Sequence, residues 1–485
     1  MGIPIYRWVA AEQFLGRGNA LTRLESWWMD QTLEPINLFG RRRVGKSWLF
    51  RKFAHGKPAI ILIVENSSPA QQLNKLAEQL EPHLIAKPEI KDIATLFRII
   101  YELTKIDKAL VIIDEFPNLL GGTDKERETS LSSIQAVMEQ YRDHSKIKLI
   151  LCGSAISQME ALQGERSPLH GRLTPLELVP LTFKEARDFF EGDDIIDHLT
   201  RYSVTGGMPR YLALLGRGNF IDSIASKIVD PNAPLFNEVP SLLAAELKEV
   251  GTYYSILSEL SGHPKARGEI AEAVGLKTTG LSHYFERLEA MRLLQVRRPV
   301  GAAADSRASQ YECVDGFVRF WFRFIAPYTA DLEAGRDARA HVVDYILPNL
   351  AEHSSIEFEH TFRRWLRQQY PQARLVGSWW GNSANVHRAA GVRSSEEIDA
   401  VGLAAKKVVV LGEAKWTNNT LLYGVLNDLI DFKIPALIDG GLTIERTHEI
   451  VLTSRSGFSQ NVQSAVGVMP HLRLIEAGDL LRSVL

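Results

Sequence analysis

The stretch Gly40-Arg41-Arg42-Arg43-Val44-Gly45-Lys46-Ser47 matches the phosphate-binding pattern G-x-x-x-x-G-K-[ST] at every fixed position. An apolar run at 35–39 leads into it as a short strand, and residues 47–54 follow it with the spacing of a helix. The two glycines let the backbone amides turn inward, where they and the positive end of the helix can cradle phosphate oxygens. The sequence therefore predicts a P-loop whose eight residues bind ATP.

Two residues at the end of this stretch are expected to contact the phosphates and their Mg²⁺ ion. Lys46 should reach the β- and γ-phosphates, and the hydroxyl of Ser47 should ligate Mg²⁺. A second apolar run, 109–114, is typical of a buried parallel strand and ends in Asp114 and Glu115. Asp114 can then hold the Mg²⁺ shell, and Glu115 can orient or polarise the attacking water. An acidic pair at a strand end could instead cap a helix, but the P-loop upstream favours the catalytic interpretation.

A third apolar run, 147–153, ends at Ser154, where a residue that senses the γ-phosphate is expected. Strands and helices alternate through this region, which predicts a doubly wound parallel sheet with its ligand at the carboxyl ends of the strands. The loop that follows carries Arg166 and Arg172. Either could neutralise charge on the transferring phosphoryl group, and either could form a surface salt bridge. A site completed by domain closure or by a neighbouring copy, and hence a homo-oligomer, is an open alternative.

Length and composition restrict the class of protein. A chain of 485 residues is too long for one core, and 45% hydrophobic with 24% charged residues is typical of soluble globular domains. The net charge of −2 excludes a globally basic coat for nucleic acid, so any DNA contact requires a local surface. Cys152 and Cys313 lie in apolar surroundings, as reduced core residues do. The longest apolar runs are strand-sized, so we expect a cytoplasmic protein with no membrane span.

The region from about 252 to 315 changes to short helices followed by two strands. Helical spacing recurs in three segments: 253–260, 266–275 and 279–290. Two short strands at 294–299 and 310–314 then flank a loop rich in Gly, Ala, Ser and Asp, and this order predicts a winged helix. The two strands and their loop form the wing. Six residues of the third helix and the wing could contact DNA: Lys277, Thr278, His283, Arg287, Arg297 and Arg298. A spacer between domains is an equally supported role.

Near the carboxyl end, one predicted strand ends at Asp399 and the next carries Glu413-Ala414-Lys415. Alternation along a strand places Glu413 and Lys415 on one face, beside Asp399. The two carboxylates can ligate Mg²⁺, and Lys415 can hold or activate a water that attacks a phosphodiester. Glu359, on a preceding helix, could complete the metal shell. A salt bridge on a surface hairpin is the alternative, but it does not explain why these charges lie between apolar runs.

Taken together, the motifs resemble the archaeal-type P-loop ATPase family, which is related to the AAA+ and STAND proteins. Six segments carry the resemblance: Phe14-Leu-Gly-Arg, the P-loop, Asp114-Glu-Phe, Cys152-Gly-Ser, Ser167-Pro-Leu-His-Gly-Arg and Gly206-Gly-Met-Pro-Arg-Tyr-Leu. The resemblance implies that Ser154 is the sensor residue and that Pro209 lies near the base of the nucleotide. It also implies that Arg172 is an arginine that recurs in the family. The Asp399, Glu413 and Lys415 pattern resembles the restriction-endonuclease-like fold, which typically follows such an ATPase core.

We therefore predict an α/β multidomain chain with four domains. They are a P-loop ATPase core over 1–183, a helical lid over 184–250, a winged helix-turn-helix over 251–330 and a restriction-endonuclease-like α/β domain over 331–485. The predicted function is binding and hydrolysis of ATP with Mg²⁺. The nucleotide state of the protein then controls a DNA-directed, metal-dependent nuclease-like domain. The alternative is a regulatory NTPase switch in which the winged helix and the nuclease-like fold are interaction modules without cleavage activity.

Overall fold

A computed structural model describes residues 3–31, 34–247, 249–303, 306 and 308–485. The chain forms two compact units, the first made of residues up to Leu181 together with Met208–Arg210, and the second made of Thr182–Gly207 and Tyr211–Leu485. Residues 304, 305 and 307 of the predicted wing loop lie outside the described residues. The finer division into four domains stays a prediction.

The first unit contains a parallel sheet of five strands in the order β2-β3-β4-β1-β5. The strands are β1 (Ile36–Phe39), β2 (Ala59–Ile63), β3 (Ala109–Asp114), β4 (Ile147–Gly153) and β5 (Thr174–Glu177). Ile36 of β1 lies beside Ile150 of β4 and Thr174 of β5, so all three strands run in the same direction. Every residue of β1 and β4 is buried. This confirms the predicted parallel sheet with strands covered on both faces.

Helices cover both faces of this sheet. The α-helices of the first unit are Gly18–Met29, Lys46–Ala54, Pro69–Leu80, Ile93–Leu103, Asp124–Tyr141 and Ile156–Ala161, and the 3-10 turns are Ala11–Gln13, Glu81–His83 and Phe116–Leu119. The longest helix begins with a capping box, in which the Thr123 side chain accepts from the Glu126 amide and Glu126 accepts from the Thr123 amide. Phe97, Val111 and Leu149 lie in the shared core, where each is fully buried.

After Leu181 the chain forms a group of short helices, all in the second unit except for the first two residues of the third helix. They are Phe183–Ala186, Ile195–Thr205, Pro209–Leu215, Phe220–Ile224 and Glu238–Glu246, with a 3-10 turn at Arg187–Phe189 and a π turn at Ala225–Val229. Gly206 ends the second of these helices with φ of 58°, a left-handed conformation that favours glycine. At the glycine pair the chain therefore has a helix end, after which Met208–Arg210 belong to the first unit.

Residues 250–325 follow the predicted order of helices and strands. The helices are Val250–Glu259, Arg267–Ala273, Ser282–Ala290 and Gly316–Phe324, with a 3-10 turn at Thr278–Leu281. Three short strands, β6 (Lys265–Ala266), β7 (Leu294–Arg297) and β8 (Gln310–Cys313), form an antiparallel sheet in the order β6-β8-β7. The aromatic helix Gly316–Phe324 has eight buried residues, because its rings pack inside the unit rather than against solvent. The assignment as a winged helix remains a prediction.

The carboxyl-terminal region contains a mixed sheet of five strands in the order β13-β12-β11-β10-β9. The strands are β9 (Leu375–Asn382), β10 (Ser395–Ala404), β11 (Lys407–Lys415), β12 (Thr443–Ser454) and β13 (Leu472–Glu476). Strands β9, β10 and β11 pair antiparallel, whereas β11, β12 and β13 pair parallel. Ile398, Leu411 and Leu452 are fully buried in the core of this region.

The helices of this region pack around the mixed sheet. They are Thr329–Glu333, Ala338–His341, Leu350–Gln369, Asn385–Ala389, Tyr423–Asp428, Ile434–Asp439, Gln460–Ala465 and Ala477–Ser483, with 3-10 turns at Ala326–Tyr328 and Leu347–Asn349 and π turns at Val342–Ile346 and Leu429–Lys433. The 20-residue helix Leu350–Gln369 packs across β9, β10 and β11. Among the described residues, no helix is both long enough and apolar enough to cross a bilayer.

Candidate functional site

The P-loop begins directly after β1 and ends in the helix Lys46–Ala54. Gly40 has φ of 152° and Gly45 has φ of 98°, conformations that side chains disfavour. A Cβ atom at Gly40 would lie 2.2 Å from the carbonyl oxygen of Leu178, so only glycine fits there. At Gly45, a Cβ atom would lie 3.6 Å from Cγ of Pro209. Pro209 therefore lies beside the P-loop, and its place near the nucleotide base stays a prediction.

Lys46 is held inside the loop. Its ammonium donates to the carbonyl oxygens of Gly40 at 2.7 Å and Arg41 at 3.0 Å, and only 7% of the residue is exposed. Because an ammonium cannot be buried without acceptors, these two carbonyls fix its position at the turn that would receive phosphate oxygens. Of the other predicted nucleotide-binding residues, Val44 is buried, whereas Arg42 and Arg43 are exposed.

The carboxyl ends of β1, β3 and β4 bring the predicted catalytic side chains together. Ser47 Oγ lies 3.4 Å from Asp114 Oδ2, within reach of the same Mg²⁺ ion. The hydroxyl of Ser154 donates to both carboxylate oxygens of Glu115 at 3.0 Å. Glu115 has φ of 53°, which is a strained backbone conformation for a residue with a side chain. Such strain is common at functional sites, where the surrounding structure stabilises it.

Arg172 does not lie at this end of the sheet. It precedes β5, which starts at Thr174 beside Ile36, the first residue of β1, whereas the P-loop follows the last residue of β1. The side chain of Arg172 forms an ion pair with Glu139. Parallel pairing therefore puts Arg172 at the edge of the sheet opposite the P-loop of its own chain. Its role at the phosphates stays a prediction, which a neighbouring copy of the chain would have to fulfil. Arg166, the other candidate, is exposed.

Three side chains of β10 and β11 meet as predicted. Lys415 Nζ lies 3.2 Å from Asp399 Oδ2 and 2.8 Å from Glu413 Oε2. The amide of Ala414 also donates to Asp399 Oδ2 at 2.9 Å, and Glu413 is fully buried. Sequence reasoning missed Lys433, whose ammonium lies 2.8 Å from Glu413 Oε1. Its only sequence signal is a lysine in an otherwise apolar and acidic helical segment.

Burial and neighbouring charges shift the ionisation of these groups. Burial and the charge of Asp399 raise the pKa of Glu413 to about 7 and that of Glu359 to about 8. Burial opposes ionisation of Asp399, but the Lys415 ammonium and the Ala414 amide hold its pKa below the usual value. Although burial disfavours the charged form of Lys415, its two carboxylate partners raise its pKa. These shifts favour the charged forms of Asp399 and Lys415, and they favour the protonated forms of Glu413 and Glu359.

Asp399, Glu413 and Glu359 offer hard oxygen ligands, the type that Mg²⁺ prefers. Within the described part of the chain, however, no group of three or more His, Cys, Asp or Glu side chains is arranged to hold a metal ion. Glu359 pairs with Arg363 at 3.6 Å instead. The expectation that Glu359 completes a metal shell is therefore not met in this arrangement, and a site with the remaining two carboxylates stays a prediction.

One of the six predicted DNA-contacting residues is mostly buried. The side chain of Arg297 is 13% exposed, its guanidinium lies 3.4 Å from Glu312 and 3.6 Å from Glu397, and it donates to Ser378 Oγ at 2.7 Å. Arg297 therefore ties β7 to β9 and β10 and is not available to DNA. Arg287 is half-buried and donates to the carbonyl of Glu246 at 3.0 Å. Four of the six are exposed: Lys277, Thr278, His283 and Arg298.

Comparison with known proteins agrees with this geometry. Residues 14–215 match the family model described as an ATPase domain predominantly from Archaea. The match includes the P-loop, Asp114, Glu115, Ser154 and Pro209. The chain thus carries a P-loop ATPase domain and is an ATPase. Residues 321–424 match a second model, described as archaea bacterial proteins of unknown function.

Individual relatives are distant. An uncharacterized protein of Methanocaldococcus jannaschii is 28% identical over 412 residues, which are 83% of this chain and 87% of that protein. The Walker-type ATPase of Pyrococcus abyssi has 18% identity and a TM-score of 0.47, over 66% of this chain and 98% of that one. The ORC2 protein of Aeropyrum pernix, in ADPNP and ADP complexes, has 13% identity and a TM-score of 0.43, over 67% and 98%.

Proposed function

We propose that the chain is an ATP hydrolase whose nucleotide state controls a DNA-directed phosphodiesterase centre formed by Asp399, Glu413 and Lys415. The observation that carries this proposal is the meeting of these three side chains within 3.2 Å on the antiparallel pair β10 and β11. Two carboxylates can hold the cation of a metal-assisted hydrolysis, and an ammonium can orient a water molecule or a phosphate oxygen. The ATPase domain supplies the second activity.

In the ATPase domain, the amides of the P-loop and the ammonium of Lys46 would bind the β- and γ-phosphates. Ser47 and Asp114, whose side-chain oxygens are 3.4 Å apart, would hold Mg²⁺. When bound, Mg²⁺ would neutralise charge on the phosphate oxygens. Glu115 would orient the attacking water, and its two hydrogen bonds from Ser154 keep the carboxylate in position.

In the carboxyl-terminal region, Asp399 and Glu413 would hold a divalent cation, Mg²⁺ or Mn²⁺, which would supply Lewis-acid stabilisation of the phosphodiester. Lys415 donates to both carboxylates, so its ammonium lies where it can orient a water molecule or a phosphate oxygen. The winged-helix interpretation supports DNA as the partner, because exposed Lys277, His283 and Arg298 belong to its third helix and wing.

A regulatory NTPase switch without cleavage activity is the second candidate. It is favoured by the charge balance of the carboxyl-terminal centre, where Lys415 and Lys433 offset Asp399 and Glu413 without a metal ion. It is also favoured by Arg297, which ties the predicted wing to β9 and β10 as a spacer would.

Plasmid nicking and single-stranded DNA cleavage in Mg²⁺ and in Mn²⁺, with and without ATP, separate the two functions. We expect Asp399→Ala and Lys415→Ala each to abolish cleavage while phosphate release from ATP continues. Asp431→Ala serves as the matched control, because Asp431 is exposed on a neighbouring helical turn. Persistent cleavage by the Asp399→Ala protein would show that the nuclease centre does not contain Asp399. No cleavage by the unmodified protein under any nucleotide condition would support the switch.

A further inference from the structure

We propose that Lys433 is an exchangeable counter-ion of Glu413, so that a divalent cation binds Asp399 and Glu413 only by displacing the Lys433 ammonium. This inference rests on the proposed function, because it takes these two carboxylates as the ligands of the cation. It assigns Lys433 a positioning role that controls when the centre can be loaded with metal.

Both carboxylate oxygens of Glu413 are already engaged. Oε1 accepts from Lys433 at 2.8 Å and Oε2 accepts from Lys415 at 2.8 Å. Glu413 is fully buried, so its carboxylate has no contact with solvent through which a cation could bind without displacing a lysine. Asp399 Oδ2 likewise accepts hydrogen bonds from the Lys415 ammonium and from the Ala414 amide. A cation that uses Glu413 as a ligand must therefore take the place of one of its two ammonium partners.

Of the two lysine partners of Glu413, Lys433 is the one that can exchange Glu413 for another acceptor. Lys415 lies on the central strand β11 and is held by two carboxylates. Among the described residues, Lys433 has one carboxylate within hydrogen-bond distance, which is Glu413. Lys433 Nζ also lies 4.0 Å from Asp428 Oδ2. The other oxygen of this partly exposed carboxylate pairs with Arg393, so Oδ2 is the second acceptor that Lys433 could take. A small rotation of the side chain would exchange Glu413 for Asp428.

The backbone around Lys433 supports this role. Lys433 ends the π turn Leu429–Lys433, which lies between the helices Tyr423–Asp428 and Ile434–Asp439. A π turn inserts an extra residue into a helix and occurs frequently at functional sites. At the end of this turn, Lys433 lies within hydrogen-bond distance of Glu413 on β11, and Asp428 lies just before the turn.

The charges of the centre give the exchange its direction. As ligands of a cation, Asp399 and Glu413 are both ionised, and Lys415 and Lys433 then balance their two negative charges. A divalent cation added to this set would leave two uncompensated positive charges in a buried place, which is costly. If Lys433 leaves, one positive charge remains, and the single negative charge of a phosphodiester offsets it. The exchange therefore couples metal loading to binding of a phosphodiester.

Mn²⁺ binding to the full chain without nucleotide, measured by calorimetry and by the electron paramagnetic resonance signal of free Mn²⁺, tests the exchange. We expect Lys433→Met to bind Mn²⁺ about tenfold more tightly than the unmodified protein, because the competing ammonium is removed. Lys433→Arg should keep the original affinity. Lys407→Met is the matched charge control, because Lys407 lies exposed at the other end of β11 and pairs with Glu445 at 3.3 Å.

Thermal unfolding provides a second measurement that a purely structural salt bridge would not alter. Mn²⁺ should raise the melting temperature of Lys433→Met more than that of the unmodified protein, because tighter binding to the folded state stabilises it more. Equal Mn²⁺ affinity in the two proteins, an equal gain in Lys407→Met, or no Mn²⁺ binding by any variant would each overturn the proposal. A gain in affinity without DNA cleavage would leave the exchange standing and refute the nuclease alone.

Discussion

The hydroxyl of Ser154 donates to both carboxylate oxygens of Glu115 at 3.0 Å, which joins the residue after β4 to the residue after β3. The predicted γ-phosphate sensor and the predicted water-orienting residue are therefore one hydrogen-bonded unit. Because β3 and β4 are adjacent and parallel, their carboxyl ends bring the two side chains together. Any movement of Ser154 toward a phosphate would change the position of the Glu115 carboxylate.

This pairing predicts that the effects of Ser154→Ala and Glu115→Gln are not additive. Glu115→Gln should bind ATP but slow its hydrolysis by about 10²-fold or more, because the carboxylate that orients water is lost. Ser154→Ala should slow hydrolysis less, and it should add little in the double variant because the two residues act as a unit. Single-turnover phosphate release, with nucleotide affinity as the control, measures both. Fully multiplicative losses would contradict the coupling.

Arg172 can act on ATP only from a second copy of the chain, because in its own chain it lies at the opposite edge of the sheet. We predict that Arg172→Ala lowers the part of ATP turnover that rises with protein concentration. Mixing it with Lys46→Ala should restore activity, since each protein supplies what the other lacks. Glu139→Ala is the control, because it removes the ion-pair partner and keeps the arginine. Full activity of Arg172→Ala at every concentration would dismiss an arginine finger.

DNA affinity should depend on exposed cations and not on Arg297. We predict that Lys277→Ala with Arg298→Ala weakens DNA binding and reduces the slope of log affinity against log salt by about 2, one unit for each lost phosphate contact. Fluorescence anisotropy across a salt series measures this slope. Unchanged binding in the double variant would support the spacer role.

Arg297→Ala should act on stability instead. Its removal leaves the carboxylate of Glu312, which is 6% exposed, with the Gln295 amide but without its arginine partner. Breaking such a buried ion pair costs about 3 kcal/mol or more. Thermal unfolding and DNA anisotropy on the same protein separate the two effects. A loss of DNA affinity with no loss of stability would show that Arg297 does reach the nucleic acid.

Stability of the second unit should fall with acid through His353. Burial lowers the pKa of this imidazole from 6.5 to about 3, and its Nε2 hydrogen bonds to the carbonyl of Ser203 at 3.0 Å. The unfolded chain therefore binds the proton more readily than the folded one, so the stability that is present above pH 6.5 is lost as the pH falls toward 3. The loss should reach about 3 kcal/mol by pH 4.

His353→Gln keeps a hydrogen-bond donor and removes the titration, so it should flatten the dependence of the unfolding midpoint on pH between 6.5 and 4. Urea unfolding at several pH values, followed by the fluorescence of tryptophans, measures the midpoint. Parallel curves for the two proteins would mean that His353 does not contribute to acid sensitivity.

Local patterns predicted the parts of this protein that depend on residues close in sequence or on strand alternation. The P-loop turn needs Gly40 and Gly45 whatever the rest of the chain does, and Glu413 and Lys415 share a face because they are two residues apart. The place of Arg172 in the sheet could not be predicted, because it depends on which strands pair and in which direction. Arg297 was misjudged because the strands β9 and β10 that bury it are distant in sequence. Lys433 was missed because its partner Glu413 lies 20 residues away in sequence, on a strand.

DNA cleavage by Glu115→Gln and by Lys46→Ala, each with ATP and Mg²⁺, tests nucleotide control most directly. Glu115→Gln should retain ATP, whereas Lys46→Ala should not bind it, because the loop loses the ammonium that faces the phosphates. The carboxyl-terminal centre is unchanged in both proteins. If the nucleotide state controls this centre, their cleavage rates should differ by about tenfold or more, the usual range of allosteric coupling. Equal cleavage rates in the two proteins would contradict the account.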